Sequence, residues 1–302
     1  MRTVDFFIVG APKCGTTAMY SYLKSHPDVF FPEKKEPHFF GRDLDFSGRP
    51  RMTFEEYLQL YSDAKPNQKL GDASVFYLLS KTAAQELKAY NPDAKIIIML
   101  RNPVDAMHSF HSQRLYNGTE DIEDFADAIA AEADRREGRR MPARIGLRQG
   151  LFYHEVVSFA DQVERYFEAF GRAPIHIILH EDLCADLPGC FRNLCAFLGI
   201  DTSHEPVFDA VNANKVVRFP WLRDALAERP RALSLAGRML LPSASLRRRL
   251  RDAIKSMNRV TQRRIPIPPE VRSRVLNELG PSIEKLEQLL DRDLGSWRSA
   301  SC

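Results

Sequence analysis

The segment GAPKCGTT, Gly10 to Thr17, is the first stretch of the sequence whose residue types and spacing suggest chemistry. Gly10 and Gly15 stand at the outer spacing of the phosphate-binding pattern G-x-x-x-x-G, and two threonines follow. In a nucleoside-triphosphate loop, a lysine comes directly after the second glycine and reaches the β- and γ-phosphates. Here Thr16 takes that position and Lys13 lies inside the loop. The pattern therefore predicts a phosphate site with an unusual ligand.

A second polar cluster follows the most apolar segment of the chain. The run KIIIMLR, Lys95 to Arg101, is typical of a parallel strand buried on both faces. Pro103 suits the first turn of a helix, which places Ser109 about two turns into it. Because ligands bind beyond the C-terminal ends of parallel strands, we expect Arg101 and Ser109 to hold one phosphate and the segment Gly10 to Thr17 to hold another.

Strand-like and helical patterns must alternate to position these clusters. The runs 5–10, 95–101 and 175–183 are strand-like, and each is followed by helical periodicity. This alternation predicts an α/β fold in which helices flank a central parallel sheet. Residues 121–140 are expected to form an exposed helix that ends in the basic run RREGRR, and residues 152–170 to form another helix.

The last third of the chain has a different pattern. We predict a loop at 211–222, an Arg-rich helical stretch at 232–258 that includes LRRRLR, and an amphipathic helix at 271–290. The C-terminal part is therefore expected to be helical. Since no repeat or low-complexity linker interrupts the sequence, we predict a single domain over residues 1–302.

Composition bounds the possible partners and the compartment. The 302 residues carry 43 basic and 40 acidic side chains, and this net charge of +3 gives no support to a nucleic-acid partner. A run of about eighteen apolar residues is lacking, so no membrane span is expected. Five cysteines without a C-x-x-C pair indicate neither a disulfide framework nor a zinc site. With an N-terminus that enters a strand directly, these features predict a cytoplasmic protein; the oligomeric state stays open.

Three motifs together resemble the sulfotransferases that use 3′-phosphoadenosine 5′-phosphosulfate. They are P-K-C-G-T-T after a strand, H-F-F after an acidic residue, and L-R-N-P with a serine eight residues beyond the arginine. The resemblance extends over nearly the whole chain and implies a P-loop-like three-layer fold. Such a donor has no β- or γ-phosphate, which explains why no lysine follows Gly15.

The resemblance also assigns the donor site residue by residue. It implies that the loop residues hold the 5′-phosphosulfate, that Arg101 and Ser109 hold the 3′-phosphate, and that a late basic loop closes over the latter. The implied donor-binding residues are Lys13, Cys14, Gly15, Thr16, Thr17, Arg101, Ser109, Lys215 and Arg218.

The acceptor side requires a general base if a hydroxyl is to attack. In KKEPHFF, Glu36 stands where the resemblance to glycosaminoglycan-type sulfotransferases implies a catalytic glutamate. His38 is the second candidate, because small-molecule sulfotransferases use a histidine. Lys13 is expected to stabilise the charge on the departing phosphate. Some relatives carry a second lysine near the position of Ala73, and this chain has none there.

Three functions follow from these residues. The first is sulfuryl transfer by in-line displacement to a hydroxyl or amine of a small molecule or a glycan, without a metal. The second is a P-loop kinase-like phosphotransferase, which the position of Thr16 disfavours. The third is a catalytically inactive nucleotide-binding protein. Two features point to different acceptors. Five phenylalanines predict an apolar acceptor pocket, and they are Phe30, Phe31, Phe39, Phe40 and Phe76. The Arg-rich helices instead favour an anionic glycan.

Overall fold

A five-stranded parallel sheet forms the centre of the computed structural model, with the strand order β2-β3-β1-β4-β5. The structure describes residues 2–48, 50–208, 215–219, 223, 243, 257–261 and 264–298. The strands are β1 Phe6–Gly10, β2 Val29–Phe30, β3 Lys69–Asp72, β4 Lys95–Leu100 and β5 Ile175–Leu179. A separate antiparallel pair joins β6 Lys215–Val217 to β7 Arg259–Thr261.

Helices flank this sheet, as the alternating pattern predicted. In the first half of the chain they are α1 Thr16–Lys24, α2 Phe54–Gln59, α3 Ala83–Tyr90, α4 Pro103–Asn117, α5 Phe125–Ala130 and α6 Glu132–Arg136. In the second half they are α7 Tyr153–Val156, α8 Phe159–Phe170, α9 His180–Ala185, α10 Leu187–Leu198, α11 Pro269–Leu290 and α12 Gly295–Arg298. Among the described residues, none of the helices combines the length and apolar character that crossing a bilayer requires.

The central strands β1 and β4 are buried and set the position of the loop that follows β1. All five residues of β1 are buried, as are all residues of β4 except Lys95. The two strands pair in parallel, with Gly10 opposite Ile98. Immediately beyond the strand, the Ala11 amide donates to the Met99 carbonyl at 2.7 Å. The loop therefore leaves the sheet beside the end of β4, where Arg101 follows.

Three expectations for the middle of the chain are wrong. Residues 121–140 form the short helices α5 and α6, and Arg135 within RREGRR is fully buried. Its guanidinium makes a bidentate pair with Glu120 at 2.8 and 2.6 Å, which explains how a charged side chain occupies the interior. The strand expected at 175–183 ends at Leu179, where α9 begins, and the helix expected at 152–170 is divided into α7 and α8.

The C-terminal part differs from its prediction in one described element. The loop expected at 211–222 contains the strand β6, which pairs with β7. The predicted helical stretch 232–258, with its LRRRLR run, lies almost entirely outside the described residues. The last predicted helix is confirmed and begins at Pro269, two residues earlier than expected.

Trp297, in the last helix α12, connects this part of the chain to the elements that follow β4 and β5. Its indole Nε1 donates to Glu181 Oε1 at 2.9 Å, and its carbonyl accepts from Asn102 Nδ2 at 3.0 Å. Asn102 caps α4 by accepting from the Val104 amide at 3.0 Å. Since Arg101 precedes this cap directly, the buried Trp297 helps to fix the turn that carries Arg101.

Candidate functional site

A glycine with a left-handed backbone favours the shape of the loop between β1 and α1. Gly15 has φ 92°, and an added Cβ would lie 3.2 Å from Leu183 Cδ1 and 3.3 Å from Met99 Cε. Thr16 and Thr17 then form the first positions of α1. The first amides of a helix lack intrahelical acceptors and carry the positive end of the helix dipole. The loop therefore presents donors suited to an anion.

Two other loop side chains point to different environments. Lys13 Nζ donates to Gln113 Oε1 of α4 at 3.2 Å, so Lys13 crosses from the loop to the helix that follows β4. Cys14 is fully buried, and its Sγ contacts the Pro12 carbonyl at 3.6 Å. Burial raises the pKa of the Cys14 thiol to about 12, although the positive charge of Arg101 opposes the rise. Cys14 is therefore a neutral packing residue.

An arginine from the C-terminal part joins Arg101 and Ser109. Arg264 Nη2 donates to Ser109 Oγ at 3.0 Å, and Arg264 Nε donates to Ser112 Oγ at 3.1 Å. Burial lowers the pKa of Arg264, and the positive charge of Arg101 lowers it further. The Arg264 guanidinium thus contacts two hydroxyls in the middle of α4, within electrostatic range of Arg101. Guanidinium groups bind phosphate in a bidentate manner, so this cluster is suited to a phosphate.

Arg101 is close enough to the loop for its charge to act there. It opposes the burial-driven rise in the pKa of Cys14, and it adds to the burial that lowers the pKa of His180 at the start of α9. With Lys13 bonded to α4, the two predicted phosphate clusters lie at one edge of the sheet. The structure therefore brings Lys13, Arg101 and Ser109 together.

Lys215 and Arg218, the two basic residues expected to close over the 3′-phosphate, differ in what the structure describes of them. Arg218 is exposed, its amide donates to the Asn258 carbonyl at 2.9 Å, and its guanidinium lies 5.9 Å from the Phe219 ring centre. Lys215 begins β6, opposite Thr261, and its side chain lies outside the described part of the chain. The described contacts thus place Arg264, rather than Arg218, on Ser109.

Glu36 lies in an ionic cluster beside the loop. Its Oε1 is 3.2 Å from Lys35 Nζ, and its Oε2 is 3.5 Å from His38 Nε2. Lys35 Nζ also donates to Thr17 Oγ1 at 3.0 Å. Burial alone would raise the pKa of Glu36, but the hydrogen bond from His38 and the charge of Lys35 outweigh it and hold that pKa below its usual range. Glu36 is therefore ionised at neutral pH.

The segment that carries Glu36 and His38 has an unusual backbone. Glu36 has φ 58° and His38 has φ 51°, both in the left-handed region that costs a non-glycine residue about 1 kcal/mol or more. The His38 amide donates to Ser74 Oγ at 3.1 Å. Ser74 Oγ in turn donates to Asp72 Oδ1 at 2.7 Å. Side chains after β3 therefore hold this backbone in place.

A tyrosine makes the second attachment of the same segment. The hydroxyl of Tyr77 accepts from the amides of Phe39 at 3.0 Å and Phe40 at 3.3 Å, and donates to Asp72 Oδ2 at 3.0 Å. Asp72 is fully buried, and burial raises its pKa, although the hydrogen bonds from Ser74, Tyr57 and Tyr77 oppose the rise. The buried carboxyl of Asp72 thus anchors both Ser74 and Tyr77.

Comparisons with known proteins decide the family. The family model described as sulfotransferase domain matches residues 3–221. The chain belongs to the sulfotransferase family. Human carbohydrate sulfotransferase 15 is 32% identical in an alignment 145 residues long that covers 34% of this chain and 26% of that protein. Human heparan sulfate glucosamine 3-O-sulfotransferase 6 is 27% identical, over 85% of this chain and 70% of that protein.

A solved structure confirms the fold of this sulfotransferase. The sulfotransferase from Alicyclobacillus acidocaldarius is 28% identical and superposes with a TM-score of 0.73, covering 99% of this chain and all of that one. The resemblance inferred from the three motifs is therefore confirmed, as is the P-loop-like fold. This chain spans about a quarter of the length of carbohydrate sulfotransferase 15.

The five phenylalanines expected to line an acceptor pocket lie in different environments. Phe31 and Phe40 are buried in the core, and Phe39 stacks on Tyr57 with ring centres 4.6 Å apart. Phe76 alone among the five phenylalanines packs beside His38, at 5.6 Å. The described residues also contain no group of His, Cys, Asp and Glu side chains arranged to hold a metal ion.

Four residues of the site escaped the sequence analysis, namely Lys35, Ser112, Gln113 and Arg264. Three of them had a usable signal. Ser112 and Gln113 lie three and four residues beyond Ser109, on the same helix face. Lys35 directly precedes Glu36. Arg264 stands in TQRRIP before the last helix, but nothing local in sequence links it to Ser109, 155 residues earlier.

Proposed function

We propose that this sulfotransferase transfers the sulfuryl group of 3′-phosphoadenosine 5′-phosphosulfate to an acceptor hydroxyl or amine, with Glu36 as the general base. The observation that carries the proposal is the placement of two anion sites at one sheet edge. One is the loop Gly10 to Thr17, and the other is the cluster of Arg101, Arg264 and Ser109. A nucleotide with phosphates on both the 3′ and 5′ carbons has two anionic groups to match them.

The donor is held at both ends in this proposal. The amides of Gly15, Thr16 and Thr17 bind the 5′-phosphosulfate, and Lys13 exchanges its bond to Gln113 for one to a phosphate oxygen. Arg101, Arg264 and Ser109 bind the 3′-phosphate. Lys215 and Arg218 stay candidates for closing over it, supported by β6 lying against α4.

The transfer is an in-line displacement at sulfur. Glu36 accepts the acceptor's proton while the acceptor oxygen or nitrogen forms a bond to sulfur. The bond between sulfur and the bridging phosphate oxygen breaks, and Lys13 with the loop amides stabilises the charge left on that oxygen. His38 stays the alternative base, and its bond to Glu36 in the free protein also makes it a partner of the carboxylate.

A carbohydrate hydroxyl is the acceptor class that we propose. Two relatives support this proposal: one is a carbohydrate sulfotransferase and the other is a heparan sulfate glucosamine 3-O-sulfotransferase. The burial of Phe31 and Phe40 removes two residues from the apolar pocket that a small hydrophobic acceptor would need.

Calorimetry with two nucleotides tests the donor site. We expect adenosine 3′,5′-bisphosphate to bind the wild type and its Kd to rise about 10- to 100-fold in Arg101→Met and in Arg264→Met, because each loses charge-assisted hydrogen bonds. Adenosine 5′-monophosphate, which lacks the 3′-phosphate, should bind all three proteins equally. Arg274→Met, on an exposed part of α11, is the matched control and should match the wild type.

A transfer assay tests the chemistry. Wild-type protein with ³⁵S-labelled donor should label a carbohydrate in a panel of chondroitin, N-sulfated heparosan and p-nitrophenol. Labelling should persist in chelator, whereas transfer of ³²P from γ-labelled ATP that is abolished by chelator, in place of ³⁵S transfer, would favour a metal-dependent kinase. Bisphosphate binding without transfer to any acceptor would favour an inactive nucleotide-binding protein, and the absence of bisphosphate binding would refute the proposal.

A further inference from the structure

Lys35 contacts the donor loop and the proposed base at the same time. Its Nζ lies 3.0 Å from Thr17 Oγ1 on α1 and 3.2 Å from Glu36 Oε1. The same ammonium lies 5.3 Å from the centre of the Tyr20 ring, one turn further along α1. The side chain is only 25% exposed, so these contacts hold it in a confined position.

We propose that Lys35 is a positioning residue that fastens the Glu36 carboxylate to the donor loop. Thr17 is the second residue of α1, so the helix fixes where its hydroxyl stands. Because Lys35 contacts both Thr17 and Glu36, it holds the carboxylate at a fixed place relative to α1. The backbone of Glu36 itself is in the left-handed region. The inference rests on the proposed function, because the distance from base to donor matters only if Glu36 accepts the proton.

The electrostatic surroundings of Glu36 make the inference testable. The charged and titratable groups that act on this carboxylate are Lys35 and His38, while the buried Asp72 interacts with His38 from the end of β3. Burial opposes ionisation of Glu36, and these two partners favour it. Without Lys35, only His38 opposes the effect of burial on the Glu36 carboxylate, so the pKa of Glu36 must rise.

A titration of the free protein tests this coupling without donor or acceptor. Glutamate side chains are labelled with ¹³C at Cδ, and the Glu36 signal is assigned by its loss in Glu36→Gln. In Lys35→Met the titration midpoint of Glu36 should move upward, and in Lys35→Arg it should stay near that of the wild type. Lys34→Met removes an exposed neighbouring lysine and is the matched control, with no expected shift.

Kinetics with the best acceptor of the panel tests the consequence. Lys35→Met should lower kcat by roughly 10- to 100-fold, because the base is no longer held at a fixed distance from the donor. The Kd of adenosine 3′,5′-bisphosphate should stay near that of the wild type, and the acid limb of kcat/KM should move to higher pH. Lys35→Arg should recover most of the activity, since a guanidinium can bridge the same two oxygens.

The outcomes separate this inference from the proposed function. An unchanged Glu36 midpoint in Lys35→Met would overturn the inference, even if the wild type binds the bisphosphate and transfers sulfate. A loss of kcat without a shifted acid limb would also overturn it, because Lys35 would then not act through Glu36. Failure of the wild type to bind the bisphosphate would instead refute the proposed function, while the titration would still report on the contact between Lys35 and Glu36.

Discussion

Backbone hydrogen bonds position the loop Gly10 to Thr17, whereas side chains position the segment Glu36 to Phe40. The Ala11 amide in the loop donates to the Met99 carbonyl at 2.7 Å, and the Leu78 amide donates to the carbonyl of Val9, just before the loop, at 2.8 Å. At the segment, the hydroxyls of Ser74 and Tyr77 accept hydrogen bonds from three backbone amides. Donor binding should therefore tolerate loss of those hydroxyls, and acceptor chemistry should not.

Replacement of Lys13 should have the largest effect on the donor side. Lys13→Met is expected to lower turnover by about 100-fold or more, because a charge that stabilises the departing phosphate is removed. Single-turnover transfer of labelled sulfate measures the change. Lys24→Met, at the exposed C-terminal end of α1, is the control and should keep the wild-type rate. A folded Lys13→Met protein with a near-normal rate would remove Lys13 from the mechanism.

Replacement of Tyr77 should damage the acceptor side selectively. Tyr77→Phe leaves the amides of Phe39 and Phe40 without their hydroxyl acceptor, so we expect a loss of about 2 kcal/mol in the free energy of unfolding. Transfer should fall roughly 10-fold as Glu36 loses its alignment, while the Kd of the bisphosphate stays unchanged. Urea unfolding, calorimetry and the transfer assay measure the three quantities.

Tyr166→Phe provides the matched control for that experiment. The Tyr166 hydroxyl is also buried and donates to the Tyr77 carbonyl at 3.0 Å, but it receives no amide from the acceptor segment among the described contacts. Its loss should cost about 1 kcal/mol of stability and leave transfer unchanged. Equal effects of both variants on transfer would show that general core packing, rather than the attachment of the segment, sets the activity.

The pH dependence should show the smallest effect and distinguishes the two candidate bases. Because the pKa of Glu36 lies below its usual value of about 4.3, the carboxylate is ionised throughout the neutral range. Activity, and the stability that comes from its partners, should be lost only as the pH falls through the depressed value. With Glu36 as the base, kcat/KM should therefore stay constant between about pH 5 and pH 7. With an imidazole base, kcat/KM would ordinarily fall as the pH drops through about 6.5.

The fold and the donor end of the site were largely predictable from sequence. Continuous apolar runs identify β1 and β4, and a parallel sheet fixes that Lys13 and Arg101 emerge at the same edge. The acceptor segment was less predictable, because its conformation depends on Asp72, Ser74 and Tyr77. The attachment of Ser74 and Tyr77 to His38, Phe39 and Phe40 involves sequence separations of more than thirty residues, which local patterns do not encode.

Two further residues mark the limits of pattern analysis. Arg135 lies in a basic run that is usually solvated, and only its pairing with Glu120 explains its burial. Arg264 reaches Ser109 through tertiary structure alone. The single domain and the cytoplasmic location stay predictions.

The position of Arg264 has a thermodynamic consequence for the donor site. Arg101 follows the central strand, whereas Arg264 follows β7 in the C-terminal part. A phosphate bound by both arginines would connect these two portions of the chain for as long as it stays bound. By reciprocity, docking of the C-terminal portion would tighten nucleotide binding by the same factor by which bound nucleotide tightens that docking. Bound nucleotide would equally suppress detachment of that portion.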